Sequence, residues 1–181
     1  MTVKLRATPP AYPWYARLPL ATGALGAALR RHTGFRDHHL ATVAAGAYRD
    51  VQEVLSPDGD QTGLIVKRTQ HHNGGRTGDY DLGNATERTI YAHVRTHAPQ
   101  LLAAFPVLYE TAEDASYAIH ERVICGARGT TPVSELERRL RTEGGIDPED
   151  LHGDNIGRRY STRGPFGDTV FLDYGHFALC G

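Results

Sequence analysis

The strand-like segments of this sequence follow one another in pairs joined by short polar turns, which restricts the fold more than any other feature. The turn signal Ser56–Asp60 separates an apolar run at 50–55 from another at 63–69. A second pair, at 105–111 and 116–123, also flanks a short polar turn. Strands joined so closely pair antiparallel, because a parallel pair needs a crossover of roughly a dozen residues or more. The sequence therefore predicts antiparallel sheet.

Helical spacing of apolar residues predicts three helices around these strands. The first runs from Leu20 to Arg31 and ends before Gly34, the second begins at Asn84, and the third begins at Thr131–Pro132. A last strand pair precedes the C-terminus. The predicted order is helix, three strands, helix, two strands, helix, two strands, which belongs to the α+β class.

Composition excludes several classes of protein. The 20 Lys and Arg residues are balanced by 21 Asp and Glu residues, so the chain lacks the basic excess that nucleic-acid binding requires. No apolar run reaches the ~18–20 residues of a membrane span, and the first segment has no signal-peptide core. Cys125 and Cys180 lack metal-ligand spacing and indicate a reducing compartment. We expect a cytoplasmic protein that binds neither nucleic acid nor membrane.

Oxygen-bearing side chains near the C-terminus indicate phosphoryl transfer. Asp150 and Asn155 lie five residues apart before a short strand, and Asp173 ends the apolar run 170–172. Transfer from a nucleotide needs a carboxylate that orients the attacking hydroxyl, together with oxygen ligands for Mg²⁺. Because phosphates and water complete the octahedron of Mg²⁺, one Asn and one Asp suffice as protein ligands.

These C-terminal motifs make the chain resemble the protein-kinase-like superfamily over residues 43–177. The stretch Asp150–Asn155, with the sequence DLHGDN, is similar to the kinase catalytic loop. It is especially similar to the loop of aminoglycoside phosphotransferase-type kinases. Together with the run 46–54, it also resembles small kinase-like proteins of bacteria and phages. Asp173–Gly175 is similar to the metal-binding DFG motif.

Upstream segments carry the same resemblance. Residues 44–51 resemble the Gly-rich loop, although Ala44 and Arg49 stand where other glycines would be. Lys67 and Glu87 are spaced like the strand lysine and the helix glutamate that pair in kinases. Residues 120–123 resemble the hinge whose backbone binds adenine.

The resemblance implies a site for two cofactors, ATP and Mg²⁺. Lys67 would hold the α- and β-phosphates, with Glu87 fixing its ammonium group. Asp150 would act as base or orient the acceptor hydroxyl, and His152 would complete the catalytic set. The metal ligands would be Asn155 and Asp173, and the other ATP contacts would be Gly46, Tyr48, Arg49, Val51, Glu121 and Val123.

The resemblance also divides the chain into parts. Residues 1–40 would form an N-terminal arm and helix, and 41–123 would form a nucleotide lobe built on antiparallel sheet. Residues 124–181 would form a minimal, mainly helical lobe with a catalytic β-hairpin. Pro148 stands where protein kinases favour His, so we expect the catalytic loop to be braced differently. Little sequence follows Gly175, so we expect almost no substrate lobe.

Alternatives remain open for single residues. Glu87 follows Asn84 by three residues and could instead close a capping box at the start of its helix. Arg49 either contacts phosphate or is a solvated partner of Asp50. His152 either donates to the γ-phosphate or only hydrogen-bonds its own loop.

The expected function is ATP- and Mg²⁺-dependent transfer of a phosphoryl group to a hydroxyl, on a protein that could be this chain itself. A small-molecule kinase is favoured by His152 but has little room for a lobe that encloses its substrate. A third alternative is a pseudokinase-like module that binds nucleotide or a partner and acts by contact. A reduced C-lobe would expose surface that a second copy of the chain or a partner protein could cover.

Overall fold

The computed structural model describes residues 13–45, 49–69, 83–125, 131–149, 151, 153–159 and 169–180. Four residues of the predicted site lie outside this set, namely Gly46, Tyr48, Asp150 and His152.

The described residues form a mixture of α-helix and antiparallel strand. The α-helices are α1 (Gly23–Thr33), α2 (Gly83–His97) and α3 (Val133–Gly144), and 3-10 helices span Trp14–Arg17, Pro99–Ala104 and Gly153–Asn155. The strands are β1 (His39–Ala45), β2 (Arg49–Leu55), β3 (Gln61–Thr69), β4 (Leu108–Thr111), β5 (Tyr117–Glu121), β6 (Ile124–Cys125), β7 (Ile146–Asp147), β8 (Ile156–Arg158), β9 (Thr169–Phe171) and β10 (Ala178–Leu179). Within the part of the chain that the structure describes, no helix is both long and apolar enough to cross a membrane.

The first five strands form one antiparallel sheet in the order β1-β2-β3-β5-β4, and α2 lies between β3 and β4 in the chain. The predicted turn between β2 and β3 is confirmed. Ser56 Oγ accepts hydrogen bonds from the backbone amides of Asp58 and Asp60, and Gly59 has a φ of 85°. A left-handed residue of this kind favours glycine, so the local sequence determines the turn.

The two faces of the sheet carry different helices. Leu25 and Leu29 of α1 pack against Leu64 and Val66 of β3 on one face. Because side chains alternate along a strand, Lys67 lies on the opposite face, where it contacts α2. The alternation of side chains along β3 therefore gives the sheet one apolar face, which packs on α1, and one face that bears charge.

A second core joins α2 to the C-terminal elements. Its buried residues come from α2, the 3-10 helix Pro99–Ala104 and its flanking residues, α3, β7, and β9 with the segment that follows it: Ile90, Val94, Ala98, Leu101, Ala104, Phe105, Leu136, Leu140, Ile146, Phe171, Tyr174 and Phe177. Phe105 contacts both Phe171 and Tyr174 edge-on or tilted. This core fixes the segment after β9 against the helix that carries Glu87.

The C-terminal part differs from the expected mainly helical lobe. Its described residues hold one α-helix, α3, and the short strands β6 to β10. Strands β6, β8 and β9 form a three-stranded sheet, and β7 pairs with β10. Strands of two residues are too short to show alternation in sequence, so the pattern predicted the three-residue strands β8 and β9 but not β6, β7 and β10.

Candidate functional site

Lys67 and Glu87 meet at the centre of the charged face. Lys67 Nζ donates to Glu87 Oε1 at 2.5 Å and to the backbone oxygen of Leu172 at 2.5 Å. Both side chains are buried. The ammonium group therefore joins three separate elements, namely β3, α2 and the segment that follows β9.

Glu87 has further partners around its carboxylate. Arg49 Nη1 lies 3.1 Å from Oε1, and the backbone amide of Tyr174 donates to the same oxygen at 3.4 Å. His120 Nε2 lies 3.0 Å from Oε2. The capping-box alternative is therefore wrong, because the carboxylate points into this cluster rather than back to the start of α2. Asn84 is also buried, and its amide group donates to the backbone oxygens of Lys67 and Ala115.

The charges around Glu87 decide its protonation state. Burial by itself raises the pKa of the Glu87 carboxyl, but Lys67 and Arg49 outweigh burial and hold that pKa well below its ordinary value. Burial lowers the pKa of His120, so the imidazole beside Glu87 is neutral near pH 7. Burial also lowers the pKa of the Lys67 ammonium group, and the carboxylate of Glu87 opposes that shift. Lys67 and Glu87 therefore form a buried ion pair with a neutral histidine at its side.

Arg49 connects this pair to Asp173. Its guanidinium group forms an ion pair with Asp173 Oδ1 through Nη2, and Nη1 donates to Asn84 Oδ1 at 3.2 Å. The alternative in which Arg49 is a solvated partner of Asp50 does not describe this geometry, because Arg49 is largely buried against Glu87 and Asp173. Burial opposes the charge of Asp173, yet Lys67 and Arg49 together lower the pKa of its carboxyl.

The residues predicted as metal ligands lie at the same end of the strand pair β8 and β9. Strands β8 and β9 pair with Ile156 opposite Phe171, and the backbone amide of Leu172 donates to the backbone oxygen of Asn155 at 2.8 Å. Asn155 is thus one residue away from Asp173 across the hairpin. Among the described residues, no group of three or more His, Cys, Asp or Glu side chains is placed so that it could hold a metal ion. One carboxylate and one amide oxygen nevertheless fit Mg²⁺, which binds few protein ligands when phosphates are present.

Three more of the predicted ATP contacts are among the described residues, namely Val51, Glu121 and Val123. Val51 on β2 is opposite Lys67 on β3 in the sheet register. The carboxylate of Glu121 binds Arg159 at 2.9 Å, and its backbone amide donates to the oxygen of Val107. Glu121 therefore ties the end of β5 to the residue after β8, and Val123 is buried beside it.

The sequence interpretation placed His120 in the predicted adenine-binding hinge and gave its side chain no role in this cluster. Ile119 and Tyr117 of β5 pack against the α1 face, so alternation places His120 on the face of Lys67. Alternation along β5 could have shown this, since a histidine between apolar neighbours on a buried strand requires a polar partner.

Gly175 is expected to tolerate no side chain. A Cβ atom at this position would lie 2.9 Å from Gly83 Cα and 3.0 Å from Arg49 Nη2. Backbone cannot retreat as a side chain can, so Gly175→Ala should lower the free energy of unfolding by about 1–3 kcal/mol in urea denaturation. Gly153→Ala is the matched control, because nothing lies within 4 Å of its Cβ position. Equal effects of the two substitutions would contradict the close packing at Gly175.

The acid limb of stability should depend on Glu87. Its pKa is lowered in the folded state from 4.5, so the stabilisation it contributes is present above about pH 4.5 and is lost as pH falls through the folded pKa. The unfolded state binds up to one more proton than the folded state in that window because of Glu87. Glu87→Gln should therefore reduce the slope of the free energy of unfolding against pH by up to about 1.4 kcal/mol per pH unit. Urea unfolding between pH 3 and pH 7 measures this slope. Glu113→Gln, at an exposed position, should leave it unchanged.

No protein-family model matches the chain, and no curated protein is significantly similar to it. The function must therefore be argued from the geometry of the site.

Proposed function

We propose that the protein is an ATP- and Mg²⁺-dependent phosphotransferase of the protein-kinase-like superfamily. The observation that carries the proposal is the buried ion pair between Lys67 of β3 and Glu87 of α2, held beside Asp173 through the backbone oxygen of Leu172. A lysine on the third strand of a sheet and a glutamate on the following helix are the pair that positions nucleotide phosphates in kinases. The antiparallel sheet and the hairpin with Asn155 and Asp173 add support.

Each residue has a separate task in this proposal. Lys67 contacts the α- and β-phosphates, and Glu87 with His120 behind it keeps the ammonium group in place. Asn155 and Asp173 hold Mg²⁺, which neutralises the charge that develops on the transferred phosphate. Asp150 orients the acceptor hydroxyl, and His152 belongs to the same catalytic loop. Both assignments rest on the DLHGDN motif.

The proposed acceptor is a hydroxyl on a flexible protein segment, including segments of this chain. An extended segment needs only a shallow surface, whereas a small molecule is usually enclosed by its pocket. A small-molecule acceptor is the alternative within the same chemistry.

A second candidate function is a pseudokinase-like module that acts by binding nucleotide or a partner. It is favoured by the contact of Arg49 with Asp173, because an arginine occupies the carboxylate that a catalytic metal would need. The retention of Lys67, Asn155, Asp173 and the aspartate at 150 favours the enzyme.

Intact-mass measurement and thermal melting together test the proposal. The purified chain is incubated with ATP and Mg²⁺, with and without cell extract, and melted in parallel with the nucleotide. We expect a rise in melting temperature and a phosphorylated protein, either this chain or one in the extract. Turnover that depends on an added sugar or alcohol would indicate the small-molecule kinase. Binding without transfer would indicate the pseudokinase-like module, and no melting shift in millimolar Mg-ATP would contradict a nucleotide site.

A further inference from the structure

The guanidinium group of Arg49 occupies a slot built to its shape. A Cβ atom at Gly83 would lie 3.0 Å from Arg49 Cζ, and one at Gly175 would lie 3.0 Å from Nη2. Two glycines thus leave open the space that the planar group fills. Glu87, Asn84 and Asp173 provide its polar partners. Arginine is suited to such a site, because its donors form a rigid fork that binds carboxylates in fixed directions.

Arg49 also lies on the outward side of the buried ion pair. The exposed fraction of the side chains rises from 0% at Glu87 and 5% at Lys67 to 11% at Arg49 and 35% at Asp173. A ligand that approaches from the side of Asp173 therefore meets the guanidinium group before it meets the lysine.

The charges of these four side chains cancel. Lys67 and Arg49 are positive, and Glu87 and Asp173 are negative. With Arg49 in place, the cluster therefore lacks the net negative charge that attracts a metal ion. Both described hydrogen bonds to Asp173 fall on Oδ1, one from Arg49 and the other from the amide of Gly175.

We infer that Arg49 is an internal counter-ion that takes the place of Mg²⁺ at Asp173, and that binding of the metal displaces it. This inference rests on the proposed function, since it assigns the same carboxylate to the metal. A guanidinium group and a divalent cation repel each other at one carboxylate in a partly buried site, so the two compete. Once displaced, the guanidinium group is available to the phosphates of the nucleotide, which arginine binds well. In the protein without nucleotide, the guanidinium group of Arg49 then blocks the metal site at Asp173.

Competition of this kind lowers the apparent affinity for the metal by a predictable factor. The measured affinity is the intrinsic affinity multiplied by the fraction of molecules in which Asp173 is released from Arg49. A contact that is formed in about nine-tenths of the molecules weakens metal binding about tenfold. Removal of the guanidinium group should raise the apparent affinity for the metal by that factor.

Binding of Mn²⁺ alone, measured by electron paramagnetic resonance on the full chain at low ionic strength, tests the competition. Arg49→Gln should bind Mn²⁺ at least about tenfold more tightly than the wild type, as the released fraction approaches one. Asp173→Asn, introduced into Arg49→Gln, should abolish the gain. Arg31→Gln is the matched control, because it removes an exposed arginine–glutamate pair with Glu110 and should leave Mn²⁺ binding unchanged.

Two further variants and readouts separate the outcomes. Arg49→Lys keeps the charge with a single ammonium group, so it protects against loss of folding and should give an intermediate affinity. Melting without ligand should show that Arg49→Gln lowers the stability of the free protein, because two carboxylates lose their shared cation. Equal or weaker Mn²⁺ binding by Arg49→Gln, still dependent on Asp173, would overturn the counter-ion and leave the metal site standing. Absence of Asp173-dependent Mn²⁺ binding in every variant would overturn the metal site and the inference together.

Discussion

Lys67→Met is expected to remove nucleotide binding and to destabilise the protein at the same time. The wild type should gain about 2.7 kcal/mol at a hundred times the dissociation constant of Mg-ATP, and the variant should gain almost none. Loss of the ammonium group also leaves Glu87 buried with fewer cations, which should lower the free energy of unfolding by about 3 kcal/mol. Urea unfolding and melting with Mg-ATP measure the two effects.

Two controls separate these effects. Lys4→Met is the same substitution at the only other lysine of the chain and should change neither quantity. The double variant Lys67→Met, Glu87→Leu replaces both partners by apolar groups, so it should recover stability without recovering the response to Mg-ATP. A full melting shift in Lys67→Met would contradict the role of Lys67 at the phosphates.

Asp150→Asn should abolish transfer while nucleotide binding stays close to that of the wild type. This residue is proposed to orient the acceptor hydroxyl, and a positioned general base typically contributes about 10²–10⁴-fold to the rate. Phosphosite mapping by mass spectrometry after incubation with ATP measures transfer, and the melting shift measures binding.

The matched substitutions at neighbouring carboxylates make this assignment testable. Asp154 belongs to the same loop, and the variant Asp154→Asn should retain phosphoryl transfer. Asp173→Asn should instead weaken Mg²⁺-dependent binding itself, because this carboxylate is the proposed metal ligand. If Asp150→Asn and Asp173→Asn lost binding equally, the roles of the two carboxylates would have been wrongly divided.

Much of the fold followed from local signals. The turn at Ser56–Asp60 predicted the hairpin of β2 and β3, and the structure has it. The first helix ends before Gly34 as predicted, and the glycines that follow α1 and α3, Gly34 and Gly145, are both in the left-handed conformation. These signals are readable because turns and helix ends depend on a few adjacent residues. The two-residue strands β6, β7 and β10 carry no such pattern, since partners far along the chain define them.

The candidate site divides in the same way. The sequence by itself indicated that Glu87 lies on the inward side of its helix, because helical spacing is a property of the local chain. For Lys67 it gave a position on a strand and a spacing to Glu87 like that of kinases. Only the tertiary structure decided that Glu87 contacts Lys67 rather than the start of its own helix, and that His120 and Arg49 share its carboxylate. The sequence left two partners open for Glu87, namely Lys67 and the backbone at the start of its own helix. Burial selected between them, because a charged carboxylate that is removed from water is stable only beside cations, and packing brings Lys67 and Arg49 to it from strands distant in the sequence.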